Sequence, residues 1–340
     1  MSVAEAFVPT GQVPAARDAH PGALAASRER EALGAAQPSG QLWAVVLAGG
    51  DGTRVSSLSR GSTGEPAPKQ YCAFGSGEPL LLQALRRAAG LVPRSRIVVV
   101  AEQHRRHWRE ALADLPPENI VVQPRNRGTA PGVLLPVLEI VLHRDRDARV
   151  LVLPADHHVG SEDVLERALR EAARAVRRPG APVVLLGMAG EEGDHEDGWI
   201  LPAVRPSAGV RPVLSFVEKP DPETSRGLAS DGALVNSFIF AFRGTTLVRL
   251  FEDAVPDLAR VMVPFVLAGS PRERLHHLYD EIPTLDFSRA VLERAPGSLG
   301  VLAVPPCGWS DLGTPSRLES FLGRRARTDR AARSAAAPVG

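Results

Sequence analysis

WAVVLAGGDGTR, residues Trp43 to Arg54, decides how the rest of this chain is read. The apolar run Ala44-Val45-Val46-Leu47 predicts a buried central strand. Ala48 closes that run, and Gly49, Gly50, Gly52 and Thr53 lead to Arg54. Glycines carry no Cβ, so the backbone there can turn sharply and approach a ligand closely. The N–H groups of such a turn can converge on an anion, and Arg54 adds a fork-shaped cationic donor. This suits the phosphates of a nucleoside triphosphate. A P-loop would end in Gly-Lys-Ser/Thr. Val55 stands where the third glycine of a dinucleotide fingerprint belongs. The plainer alternative is a tight structural turn between a strand and a helix. A lysine, Lys69, follows in the triplet Pro68-Lys69-Gln70.

Around this motif the composition is that of an ordinary globular protein: 340 residues, 44% apolar and 23% charged. That length accommodates one large α/β domain or two small ones. A net charge of +1 gives no global attraction to nucleic acid or to a membrane. Two cysteines, Cys72 and Cys307, are too few for a disulfide framework and lack metal-ligand spacing. A reducing, cytoplasmic compartment is the simple expectation. No apolar run approaches the ~18 residues of a membrane span, and the N-terminus lacks the apolar core of a secretory signal.

Residues 1–41 are rich in Ala, Pro and Gly without a sustained period, and read as a poorly ordered leader with a short helix near Ala23–Leu33. Residues 323–340 read as a basic, flexible or frayed tail, since Arg324, Arg325, Arg327, Arg330 and Arg333 crowd it. Between them, over 42–322, strand and helix patterns alternate. Strands are expected at 43–48, 96–101, 119–122, 149–153, 183–187, 213–217, 234–242 and 299–304. Helices are expected at 79–89, 103–115, 131–143 and 161–176. Such alternation implies an α/β fold: a Rossmann-like, doubly wound, mixed but mostly parallel sheet with helices on both faces. Ligands in such sheets bind beyond the carboxyl ends of the strands.

Polar motifs sit at those ends. Asp156, in PADHH (Pro154 to His158), is placed to bind a hard cation such as Mg²⁺ or to cap a turn. The adjacent histidines lack the further ligands that zinc would need. Asp311, in GWSDLGTPSRL (Gly308 to Leu318), can cap the following helix with Ser310 or act as a second carboxylate facing Asp156. Glu218 and Lys219 end the strand in FVEKP. Alternation puts them on opposite faces, one for sugar hydroxyls and one for a phosphate, unless they are an exposed edge pair. Asn236 can donate to and accept from a hydroxyl-bearing ligand, or simply form a turn. In QPRNRGTAPG, Gln123 to Gly132, Thr129 reads as a helix N-cap with Pro131 in the first turn, and the free N–H groups can face a phosphate or a base.

Taken together and in this order, GGxGTR…PKQ, GTAP, PADH, VEKP, Asn-Ser and W-S-D-L-G resemble the sugar-1-phosphate nucleotidyltransferases, most of all the bacterial-type mannose-1-phosphate guanylyltransferases. The resemblance runs from about Trp43 to Leu322. It implies a GT-A-like domain that joins a nucleoside triphosphate to a hexose 1-phosphate and releases pyrophosphate, with Mg²⁺ as cofactor. By that likeness, Leu47, Ala48, Gly49, Gly50, Gly52 and Thr53 would cradle the nucleotide. Gln123, Gly128 and Thr129 would lie near its base. Arg54 would hold the departing phosphates and Lys69 the reacting ones, while Asp156 and Asp311 would hold the metal. Gly198, Glu218, Lys219 and Asn236 would hold the sugar phosphate.

Departures from the family pattern bear on specificity. Val55-Ser56-Ser57-Leu58 replaces Leu-x-Pro-Leu, the stretch from Arg60 to Lys69 is long enough to serve as a lid, and Val235 and Leu201 stand where a tryptophan and an acid are common. Gln123 stands where many relatives have the glutamate that matches guanine's two donors. A glutamine carbonyl matches guanine less well and could serve uracil or thymine too, so the resemblance makes GTP and mannose 1-phosphate the expected pair, with UTP, dTTP or glucose 1-phosphate as alternatives and a non-catalytic regulatory paralogue as the rival of another class. Because the sequence stops at Gly340, transferase activity alone is expected. A homo-oligomer is compatible with the sequence.

Overall fold

Strand β1, Leu42–Ala48, forms because seven largely apolar residues alternate between two buried faces. Trp43 and Val45 enter one apolar core, and Ala44, Val46 and Ala48 enter another. The computed structural model describes residues 40–50, 59, 67–74, 77–101, 105–190, 194–204, 209–269 and 271–335. Residues 1–39 of the expected leader, the segment from Asp51 to Leu58 with Gly52, Thr53 and Arg54, and residues 60–66 of the lid stretch lie outside them.

β1 pairs in parallel with β2 (Ile97–Ala101) and β4 (Arg149–Pro154), and β2 pairs in parallel with β3 (Ile120–Val122). The sheet continues from β4 through β8 (Leu234–Arg243), β5 (Val183–Met188), β9 (Leu299–Ala303), β7 (Arg211–Glu218) and β6 (Gly198–Pro202). In this second half only β5–β9 is parallel; β8, β7 and β6 pair antiparallel with their neighbours. Parallel pairing thus predominates in the N-terminal half, where helical crossovers join the strands, and returns in the second half only where β9 inserts beside β5.

Helices cover both faces. α1 (Leu80–Ala89) and α4 (Glu162–Ala175) pack on one, with Leu165, Ala168, Leu169, Ala172 and Ala173 of α4 forming its buried stripe. α3 (Thr129–His143) lies on the other and is apolar almost all round. α6 (Gly244–Ala254) and α7 (Pro256–Leu267) cover its outer side. The expected helix at 103–115 is one turn, α2 (Arg105–Trp108), followed by turns. α5 (Pro222–Ser230) starts where Asp221 accepts from the N–H groups of Glu223 and Thr224 at 3.0 and 2.9 Å, with Pro222 in the first turn. α8 spans Arg272–Glu281 and α9 spans Pro315–Ala335, running continuously through the boundary read at residue 323.

Candidate active site

A cleft of about 540 Å³ opens at the carboxyl ends of β1 and β4 and extends to the ends of β7 and β8. Leu47, Gly49, Gly50, Lys69, Gln123, Gly128, Thr129, Asp156, Gly198, Glu218, Lys219, Asn236 and Asp311 all line it. Ala48 does not; it is buried, and its carbonyl accepts from Gln70 Nε2 at 2.9 Å. The same amide donates to the Gly50 carbonyl at 2.8 Å, so Gln70 braces the start of the glycine turn. In the sequence, Pro68-Lys69-Gln70 draws notice for its lysine, and nothing local signals this role of Gln70.

Lys69 sits on a short 3₁₀ turn, nearly buried, with Nζ 2.9 Å from Asp156 Oδ2, and donates to the backbone carbonyl of Asp311. Burial by itself would raise the Asp156 carboxyl, but Lys69 and His157 hold it below the ordinary carboxylate value. Burial also lowers the His157 imidazole, against the pull of Asp156; its Nδ1 accepts from Trp309 Nε1 at 3.3 Å, and its Nε2 lies 3.6 Å from Asp156 Oδ1. Asp311 is likewise held ionised against burial, chiefly by Arg317, whose Nη1 donates to Oδ1 at 2.7 Å. A two-residue bridge joins the loops bearing these carboxylates. His158 N–H donates to the Ser310 carbonyl at 2.9 Å, and Ser310 N–H donates back at 3.0 Å. The site therefore has an ionised pair of aspartates with one lysine between them.

At the Gln123 end of the cleft, Thr129 is not an N-cap. Gly128 occupies that position with φ +81°, and a Cβ there would meet the Leu285 carbonyl oxygen at 2.3 Å. Thr129 instead begins α3, and its Oγ1 accepts from Phe287 N–H at 2.7 Å and donates to Asp286 Oδ2 at 3.3 Å. Gln123 is buried at the end of β3, with its amide against Gly132.

At the far end, Gly198 of β6 is paired with Glu218 of β7. A Cβ on Gly198 would lie 2.5 Å from Glu218 Oε2, so glycine is what lets the carboxylate lie over the strand. Burial raises Glu218 to about 7, and Asp286 adds to the rise. Lys219 has φ +50°, which breaks the strand's alternation. The expectation that Glu218 and Lys219 face opposite ways is thus overturned: both line the cleft. Asn236 precedes a register shift between β5 and β8, and its Oδ1 accepts from the N–H of Phe238, itself at φ +54°. Strained backbone at three points, Lys219, Phe238 and Leu312, adjoins the site. Asp197 and Asp286 also line it, and no sequence signal points to them; Trp309, which opens the W-S-D-L-G motif, lines it as well.

A model of the nucleotidyl transferase family matches residues 43–322. The xanthan biosynthesis protein XanB of Xanthomonas campestris pv. campestris is 32% identical over 283 residues, 81% of this chain. The mannose-1-phosphate guanylyltransferase of Escherichia coli K12 is 30% identical over 82% of it. The chain spans 58% and 59% of the length of these two relatives. A crystal structure of mannose-1-phosphate geranyltransferase from Thermus thermophilus superposes with a TM-score of 0.69 at 30% identity, covering 80% of this chain and 76% of that one. A UDP-glucose pyrophosphorylase shares the fold at a TM-score of 0.53 and 14% identity, over 86% of this chain and 100% of that one.

Proposed function

This chain belongs to the nucleotidyl transferase family, and on that premise we propose that it transfers the guanylyl group of GTP to mannose 1-phosphate, forming GDP-mannose and pyrophosphate. The observation that carries the reading is the single cleft with two chemically distinct ends. One end has Lys69 between the ionised Asp156 and Asp311; the other has Gly198, Glu218, Lys219 and Asn236. A sugar-phosphate oxygen attacks the α-phosphorus, the bond to the β-phosphate oxygen breaks, and pyrophosphate leaves. No covalent enzyme intermediate is required, so holding the two phosphates in line supplies most of the acceleration.

In this reading Lys69 neutralises charge at the reacting phosphates, and its contact with the Asp311 carbonyl holds it between the two loops. Lys219 would meet the sugar phosphate, Glu218 and Asn236 the sugar hydroxyls, and Gln123 and Gly128 the base. Arg54, Gly52 and Thr53 would complete the phosphate cradle. The donor set also fits a hard divalent cation. Asp156 and Asp311 are both held as carboxylates on the wall of one cleft, and each oxygen engaged by Lys69 or Arg317 keeps a second lone pair. Among the described residues no cluster of three or more ligating side chains forms, so the remaining positions would fall to phosphate oxygens and water. Mg²⁺ bound there would offset phosphate charge.

Similarity to the mannose-1-phosphate guanylyltransferase of Escherichia coli K12 supports mannose 1-phosphate as the sugar. Among the described residues no helix is long and apolar enough to cross a membrane. The test is pyrophosphate release by purified protein over a matrix of GTP, UTP, dTTP and ATP against mannose and glucose 1-phosphates. Fastest release with GTP and mannose 1-phosphate is expected. A clear preference for another pair reassigns the substrates, and no release with any pair removes the transferase reading.

A further inference from the structure

Arg317 stands in the first turn of α9 and does not line the catalytic cleft. It nevertheless binds three carboxylates. Nη1 donates to Asp311 Oδ1 at 2.7 Å, and Nη2 reaches Asp197 Oδ2 at 2.8 Å and pairs with Asp194 as well. These acids belong to two separate pieces of the site. Asp194 and Asp197 sit in the segment that leads into Gly198. That segment is folded on itself: the Asp194 carbonyl accepts from Trp199 Nε1 at 2.8 Å, and Asp194 Oδ1 accepts from Glu196 N–H at 3.2 Å. It also meets the sugar end directly, because the Asp197 carbonyl accepts from Lys219 N–H at 3.2 Å. Asp311 belongs to the other piece, the loop bridged through Ser310 to His158.

A second cavity of about 760 Å³ lies behind this junction, with Arg317 on its wall. Asp197, Trp309 and Asp311 line both cavities, so the Asp197–Arg317–Asp311 link lies in the partition between them. A guanidinium suits such a place. It is a rigid planar fork whose two ends fix direction as well as distance, which a lysine ammonium does not.

We propose that Arg317 is a positioning residue: it sets the spacing between Asp311 and the sugar-side wall at Asp197 and Gly198, and so governs how the hexose phosphate meets the reacting end of the site. This rests on the transferase reading. It predicts a selective defect, because Gly49, Gly50 and Gln123 line the catalytic cleft but not the cavity that Arg317 lines.

The full chain carrying Arg317→Met or Arg317→Lys tests it by hydrogen exchange and by kinetics. Amide exchange should quicken in residues 194–199 and 309–313 together. The KM for hexose 1-phosphate should rise about tenfold, the scale of one charged hydrogen bond, with the KM for the nucleoside triphosphate within about twofold of the parent. Free guanidinium should restore part of the loss in Arg317→Met, and the lysine variant should not regain the parental KM. Loosening of only one segment, no loosening at all, or an equal rise in both KM values overturns the proposal. If neither variant folds, Asp194→Asn combined with Asp197→Asn weakens the Nη2 arm alone and leaves the Asp311 arm in place. It should raise the sugar-phosphate KM and free 194–199 while 309–313 stays protected; parental behaviour overturns the proposal. Should the parent release no pyrophosphate from any pair, the transferase reading fails by itself, and the exchange data still decide whether the fork couples the two segments.

Discussion

Replacing Glu218 by glutamine should make the protein more stable, and only at high pH. Burial, with Asp286 nearby, raises this carboxyl in the folded protein from 4.5 to about 7. Between those values the folded state binds more protons than the unfolded state, so stability falls as pH rises through the window and the loss is complete above it. At about 1.36 kcal/mol per pKa unit the loss comes to about 3 kcal/mol, an upper value because the cleft admits water. Glutamine keeps the shape and an oxygen that can accept from Ser288, but it cannot ionise. Urea denaturation of parent and Glu218→Gln at pH 4.5 and pH 8 is the assay, with the comparison made at equal m-values. The variant should match the parent near pH 4.5 and exceed it by about 2–3 kcal/mol at pH 8. Because every other titrating group is shared, a difference that does not change with pH would falsify the claim that Glu218 is held protonated by its surroundings.

Two further expectations follow from the geometry. Asp156→Asn and Asp311→Asn should each lower pyrophosphate release by about 10²-fold or more, the scale of one electrostatic group at a transition state; near-parental turnover of Asp311→Asn at low Mg²⁺ would reduce that residue to a partner of Arg317. Gly128→Ala should destabilise the fold by about 1–3 kcal/mol, since its φ of +81° and the 2.3 Å approach to the Leu285 carbonyl both exclude a Cβ. An unchanged denaturation midpoint would contradict that.

Much of the site is legible in the sequence because its residues sit where buried strands stop. The apolar runs before Gly49, Asp156 and Glu218 each announce a strand whose carboxyl end places the site residue, whereas Asp311 follows the end of β9 by eight residues and is signalled by its motif instead. What escapes depends on contacts between distant segments. β6 is five residues with a glycine and a proline at its ends, too short to show a period. Lys219 escapes the alternation rule because its left-handed backbone is set by the tertiary structure. Thr129 looks like a cap by residue type, but the Asp286–Phe287 segment claims its hydroxyl. Asp197 and Arg317 have no local signature, since each matters through a partner more than a hundred residues away. The helices after residue 243 read weakly for another reason: α7 carries an internal proline at Pro264, and α8 is mostly polar.

The position of β9 has a consequence for how the protein is made. It is the last strand of the sheet in chain order, yet it lies between β5 and β7. During synthesis the ribosome releases the glycine turn and Asp156 first, while β5 and β7 wait with unpaired edges for a strand not yet translated. Our hypothesis is that assembly of the Asp156–Lys69–Asp311 cluster is therefore the closing event of folding on the ribosome, because Asp311 follows β9 and cannot meet Lys69 before that strand inserts. Nascent chains arrested before Leu299 should be cut readily by protease within β5 and β7, and chains arrested well beyond Leu322 should resist. Equal resistance at both lengths would mean that the sheet closes without its central late strand.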